Sequence, residues 1–163
     1  MHTPADVLAQ LARGPAVVRA LLADVRPADL RRRPQPGRWS AHEHGCHLAL
    51  MEPRWAERAA RILAEDAPTI VSYEPDADEA PDRLLAMDLA SALEAYDAGR
   101  RALVARLAAL PPGAWPRPAR HTGHARYSLF LMARHAALHD MLHAYRIEES
   151  VLGTHWPTEP SEA

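Results

Sequence analysis

Apolar residues recur at three- and four-residue intervals in four stretches of the chain, and proline marks most of the breaks between them. In the first stretch Val7, Leu8, Leu11, Val18, Leu21, Leu22 and Val25 keep helical spacing up to Pro27. Thr3 supplies the N-cap, Pro4 the first helical position, and Asp6 the acidic residue three places after the cap. The loop Pro34-Gln35-Pro36-Gly37-Arg38-Trp39 leads into a capping box, Ser40-Ala41-His42-Glu43, from which a second helix is expected to run to about Glu65. Pro53 lies inside it and allows a kink or a break near Leu50. The third helix is expected from about Pro81 to Leu110, on a stripe of Leu84, Leu85, Leu89, Leu93, Leu103, Leu107 and Leu110, until Pro111-Pro112-Gly113 stops it. After a loop containing Trp, Pro and His, Ser128 caps a fourth helix that reaches about Ser150.

Only Thr69-Ile70-Val71 reads as a β-branched run, so the pattern predicts an all-α chain. Residues 66–81 carry Pro68, Pro75 and Pro81 with several acids, which makes them a long connection. Two short links and one long one, between helices 2 and 3, describe a four-helix bundle with one crossover connection. Residues 1–152 are expected to form one domain and residues 153–163, with two prolines, a frayed tail. There is no internal repeat.

Composition narrows the function classes. At 163 residues, 48% hydrophobic and 25% charged, the chain is an ordinary globular domain rather than a disordered or fibrous one. No apolar run approaches the roughly 18 residues of a membrane span, and no basic patch leads into an apolar stretch at the N-terminus, so neither membrane insertion nor a signal peptide is expected. The single cysteine, Cys46, makes no internal disulfide and fits a reducing cytoplasm. Net charge is −2, from 19 basic and 21 acidic side chains, and the one basic triplet, Arg31-Arg32-Arg33, sits in a proline-rich stretch. That balance speaks against nucleic-acid binding. All the basic residues are arginine, which with the abundance of Ala and Pro suggests a GC-rich bacterial genome.

The unusual feature is ten histidines, six of them grouped: His42, His44 and His47 open the second helix, and His135, His139 and His143 lie along the fourth. At about 100° per residue, His139 and His143 lie some 40° apart, one turn above the other, so that both imidazoles reach one metal ion. Between Leu129 and Tyr145 the only charges are Arg134 and Asp140, and Met132, Ala136, Leu142 and Leu131 border the histidine face. The pair therefore points inward, where an unpaired polar group is costly. A metal satisfies it; so does Glu43 or a backbone carbonyl. His47 shares a face with Glu43, Leu50, Met51 and Trp55, while His44 lies to one side and His42 points away. One histidine here and two on a neighbouring helix make three ligands with open positions left over, the pattern of catalytic rather than structural sites. Imidazoles suit zinc, nickel, copper or iron without choosing among them.

The segment Trp39-Ser40-Ala41-His42-Glu43-His44-Gly45-Cys46-His47-Leu48 resembles the Trp-Ser-x-x-Glu-x-x-x-His-Leu entry into the second helix of the DinB/YfiT-like metalloprotein superfamily. The likeness continues in Arg61-Ile62-Leu63-Ala64-Glu65-Asp66 and Leu110-Pro111-Pro112-Gly113-Ala114-Trp115, and closes with His139-Asp140-Met141-Leu142-His143-Ala144-Tyr145-Arg146-Ile147. It spans about residues 30–150 in order and spacing. The resemblance implies a four-helix bundle, usually a homodimer, holding a divalent metal on three histidines, which here are His47, His139 and His143. Nickel or zinc is the first candidate, iron or manganese the next. Two positions depart from the pattern: Arg146 stands where the family often has Gln, and Pro53 interrupts a helix that is usually free of proline.

Glu43 has two readings, as the capping partner of Ser40 or as a general base or outer partner beside the metal. His44 and His135 flank the site, either orienting substrate or simply satisfied as polar residues. Cys46 reads as a small buried hydrophobe, Trp39 and Trp115 as packing anchors, and Tyr145 has no role. Phe130, Ala133, Ala137, Met141 and Ala144 line the fourth helix away from the histidines, where a dimer partner is expected. The acids Glu74, Asp76, Asp78 and Glu79 read as a solvated loop or a cleft edge. The expected activity is that of a metal-dependent enzyme, a thiol S-transferase using a small-molecule thiol or a hydrolase, in which the metal brings a thiol or water toward ionisation near neutral pH. The alternative is a non-catalytic, stress-associated protein whose ion only fixes the bundle.

Overall fold

A computed structural model of the chain describes residues 1–73, 80 and 82–153. The acids of 74–79 and the tail from residue 154 lie outside the described residues. Thr3 caps α1 (Pro4–Asp24) through a reciprocal box with Asp6, and Ser40 caps α2 (Ala41–Ala64) through one with Glu43. A one-turn helix α3 (Arg83–Ala86) precedes α4 (Leu89–Ala108), and Ser128 caps α5 (Leu129–Leu152), which ends at Gly153 with φ +64.

Helix α2 packs against α4 and α5, and α1 packs against α5 and α4; α1 and α2 meet only slightly. Helices α1 and α2 thus stand on a diagonal of the bundle, and α2 and α5, which carry the two histidine groups, are direct neighbours. No helix among the described residues is long and apolar enough to cross a membrane. The core falls into two clusters, one with Val7, Leu11, Trp55, Ile62, Leu107 and Met132 and the other with Val18, Leu48, Tyr96 and Ile147. Each large aliphatic side chain buried there contributes about 1.5–3 kcal/mol.

The structure differs from the sequence pattern in three places. Pro53 does not break α2, which runs unbroken from Ala41 to Ala64. The third long helix starts at Leu89 rather than Pro81, because the Asp88 carboxylate accepts the Ser91 N–H at 2.8 Å and begins a new helix after α3. The loop before α5 contains a hairpin, β2 (Pro118–His121) and β3 (His124–Ser128), with β1 (Thr69–Ile70) added in parallel to β2. Only Ala119 and Tyr127 are buried on its inner face, too few apolar positions for alternation to show in the sequence.

A group of charges is buried where the four helices meet. Arg100 of α4 bonds Glu52 of α2 (Nη2 to Oε1, 2.5 Å), Asp140 of α5 (Nη2 to Oδ1, 3.1 Å) and the Leu11 carbonyl of α1 (3.4 Å). Two glycines admit this network. A Cβ on Gly14 would lie 2.4 Å from Asp140 Oδ2, and one on Gly99 would lie 2.7 Å from Glu52 Cβ. Each carboxylate sits near the histidine site in sequence, Asp140 next to His139 and Glu52 five residues beyond His47. The network therefore fixes α5 against α2 at the level of the histidines.

Candidate metal centre

The capping box decides where α2 begins and hence which residues face α5. Ser40 Oγ accepts the Glu43 N–H, and the Glu43 carboxylate accepts from the Ser40 N–H at 2.9 Å and from Arg33 (Nη2 to Oε1, 2.5 Å). Burial pushes the pKa of Glu43 up, but Arg33 and Ser40 more than offset it and hold the carboxyl below its ordinary range. Glu43 thus occupies the cap, and among the described contacts none joins it to His47, His139 or His143. His42 turns away, its Nε2 lying 3.2 Å from the Leu84 carbonyl beside α3.

From this start His47 faces α5. Its Nε2 lies 3.1 Å from His139 Nε2, which in turn lies 3.1 Å from His143 Nε2. The three rings can each present one nitrogen within 4.8 Å of the others, a cluster compatible with metal binding. Burial first, and then the neighbouring imidazoles, push His139 down to about 3 and His143 well below its ordinary value. Burial followed by His44 takes His47 to about 4. All three rings are neutral at pH 7, each with one lone pair and one proton.

Protons alone do not satisfy this arrangement. His139 Nε2 carries either a proton or a lone pair, and so makes a good hydrogen bond to only one of its two Nε2 neighbours. The Nδ1 atoms of His47 and His139 are buried and have no hydrogen-bond partner among the described residues. Putting the ring protons on those Nδ1 atoms leaves the Nε2 lone pairs facing one another, which a cation between them relieves. The donor set is all imidazole, suited to zinc, nickel, copper or iron.

His143 differs from the other two, because its Nδ1 lies 2.8 Å from His44 Nδ1. With His143 Nε2 turned to the cluster, the hydrogen bond to His44 holds the ring in place, as partners beyond the ligand do in metal sites. Aromatic rings complete the walls. Trp39 lies 4.8 Å from His47 and stacks on His143 at 6.0 Å, and Tyr73 lies parallel to His47 at 6.3 Å. Trp55 presents an edge contact to His139 at 5.7 Å and to His135 at 5.4 Å. His135 does not join the three-histidine cluster and lies instead against His124 of the hairpin at 5.2 Å. Arg146 pairs with Glu149 at 2.9 Å.

Other side chains fall where their types suggest. Cys46 is fully buried, and burial pushes its thiol up to about 12. Trp115 packs edge-on against Phe130. Ala133, Ala137 and Ala144 are covered within the chain itself, whereas Leu138, Met141, Leu142 and Tyr145 are exposed on α5. Sequence reasoning missed the buried charges, although the signal was present. Glu52 lies on the stripe Leu48, Trp55, Ala59, Ile62, and Arg100 on the stripe Leu93, Tyr96, Leu103, Leu107, each a charge in an otherwise apolar row.

Comparison with known proteins agrees with this architecture. Residues 10–147 match the family model of the DinB superfamily. No curated protein matches the chain. Among solved structures, it superposes on YfiT from Bacillus subtilis with a TM-score of 0.81 and 20% identity, over 92% of this chain and 86% of that one. That protein is described as a probable metal-dependent hydrolase with an unusual four-helix bundle topology. At this identity the match establishes the shared fold.

Proposed function

The chain belongs to the DinB superfamily, and from that premise we propose that it is a metal-dependent enzyme, hydrolase-like or thiol S-transferase-like, holding a divalent ion on His47, His139 and His143. The observation that carries the reading is the meeting of three neutral Nε2 atoms at 3.1 Å spacings, which no distribution of ring protons satisfies. Nickel or zinc is the first candidate for the ion, iron or manganese the next. A divalent ion bound there supplies Lewis acidity to whatever group of substrate or solvent shares it.

The chain's own residues do the rest. His44 holds the His143 ring, and the Arg100 network holds α5 at the height of His47. Trp39, Trp55 and Tyr73 wall the site with rings and restrict water. In the hydrolase reading Glu43, one turn before His47, serves as the base, a role that requires it to leave Ser40 and Arg33. A small-molecule thiol is the co-substrate in the transferase reading. The exposed Leu138, Met141, Leu142 and Tyr145 support a second copy of the chain as partner, and the single buried Cys46 is consistent with a cytoplasmic setting.

One observation favours a second reading, in which the ion only fixes the bundle: Glu43 is engaged by Ser40 and Arg33 rather than turned to the histidines. Chelation separates the two. The enzyme reading expects EDTA treatment to abolish ester hydrolysis or thiol transfer while far-UV circular dichroism keeps its helical signal, and re-addition of the metal to restore turnover. Unfolding on chelation supports the structural ion instead.

A further inference from the structure

A second group of polar side chains, rich in donors, lies beside the three histidines, between α2 and the hairpin. Arg58 is 8% exposed, and its guanidinium lies 5.0 Å over the Trp55 ring. Its hydrogen bond is to a neutral acceptor, the Val71 carbonyl at 3.1 Å, and among the described residues no carboxylate pairs with it. Trp55, 1% exposed, has its indole N–H buried without an acceptor among the described residues, and Tyr127, 7% exposed, turns its oxygen to Arg58 and leaves its hydroxyl proton likewise without one.

His121 adds a third donor. Its ring lies 4.6 Å from that of Tyr127, and its Nδ1 accepts the Gly123 N–H at 3.0 Å, which places the ring proton on Nε2. That Nε2 is buried and has no partner among the described residues. A buried guanidinium without an anion is costly, and so is each buried N–H or O–H without an acceptor. Here the unmet needs coincide in kind: one positive charge and three neutral donors, the one acceptor among them, the Tyr127 hydroxyl oxygen, lying beside Arg58.

We propose that Arg58, Trp55, Tyr127 and His121 form a binding site for a carboxylate group. The guanidinium answers its single charge, and the neutral donors answer the lone pairs that a guanidinium leaves over. Trp55 also packs against His139 at 5.7 Å, so the bound carboxylate lies one ring away from the three-histidine cluster. That it belongs to the substrate rests on the metal-dependent reading above; the binding itself does not. The substrate class is then a small carboxylic acid whose reacting group reaches the histidines while its carboxylate is held on Arg58.

The test is a titration of the purified full-length protein with sodium acetate, and separately with inorganic phosphate, following the indole N–H signals by ¹⁵N NMR. The Trp55 signal is the one that vanishes in Trp55→Phe. The expected result is a saturable shift of that signal with acetate and none with phosphate. Arg58→Gln should weaken acetate binding about tenfold or more, and Tyr127→Phe, which removes one hydroxyl and leaves the packing, should weaken it several-fold. A phosphate shift at lower concentration than acetate overturns the carboxylate assignment. No saturable shift, or an acetate affinity unchanged in both Arg58→Gln and Tyr127→Phe, overturns the site, the latter because acetate would then be sitting on a metal. Metal analysis of the same sample keeps the two readings apart: acetate binding through Arg58 in a protein that takes up no metal sinks the enzyme reading and leaves this one standing.

Discussion

Arg100→Met tests whether the buried charges hold the bundle at the level of the histidines. The wild-type side chain is 1% exposed and bonds Glu52, Asp140 and the Leu11 carbonyl. Methionine keeps most of the volume but leaves two carboxyl groups, 3% and 2% exposed, without a cation. Breaking a buried ion pair from one side costs about 3–5 kcal/mol, a large part of the about 5–15 kcal/mol that holds a domain folded. For a chain of this size that lowers Tm by about 6–20 °C.

Glu52→Gln should behave differently. Burial pushes Glu52 up to about 7 despite Arg100, since one cation faces two carboxylates. Near neutral pH Glu52 therefore holds its proton about half the time, and the amide should cost about 1 kcal/mol or less. The sign of the pH effect follows. Between the ordinary carboxyl value of 4.5 and about 7, the folded state keeps a proton that the unfolded chain has lost. The Glu52 contribution is therefore fully present below 4.5 and declines as pH rises to about 7. Glu52→Gln removes that decline, so wild type minus variant should fall across the window. The assay is urea unfolding followed by circular dichroism at several pH values, compared at equal m. Arg100→Met within about 1 kcal/mol of wild type, or Glu52→Gln as damaging as Arg100→Met, would refute the reasoning.

Two further outcomes follow from the site. Because burial and neighbouring rings lower His47 to about 4 and His139 to about 3 from an ordinary 6.5, the unfolded chain binds protons that the folded chain refuses. In chelated protein their contribution should be full above 6.5 and disappear as pH falls toward 3, with a shallower slope in His139→Ala/His143→Ala; an identical slope in that variant contradicts it. His44→Ala removes the partner of His143 Nδ1 and should weaken zinc binding about 10–100-fold in a competition titration, with His44→Asn recovering part of the loss. Unchanged affinity would show that His44 does not orient the ligand.

The long helices and the His139/His143 pair were legible because each rests on local pattern, while His47 as the third member came from the resemblance of its segment to the DinB/YfiT-like entry. The caps Thr3, Ser40 and Ser128 sit where their hydroxyls meet the third backbone N–H, and His139 and His143 are one turn apart on any helix. What the sequence did not reveal depends on contacts distant in the chain. Arg100 and Glu52 are 48 residues apart, and nothing local says that two misplaced charges cancel. Pro53 reads locally as a break, yet the packing of Met51 and Trp55 into the core carries the helix past it. The hairpin hid because its inner face is one alanine and one tyrosine, with β1 supplied from 51 residues earlier, Thr69 opposite Arg120. His44 looked like a bystander on the wheel; only the approach of α5 brings His143 to it.

The most direct test of the central claim is the metal content of tag-free protein, by elemental analysis, beside that of His139→Ala/His143→Ala. About one nickel, zinc, iron or manganese ion per chain, lost in the variant while its helical signal is kept, is the expected result. No bound metal after incubation with excess nickel or zinc at neutral pH, or equal metal in the variant, would contradict it and leave the three histidines as polar groups of the core.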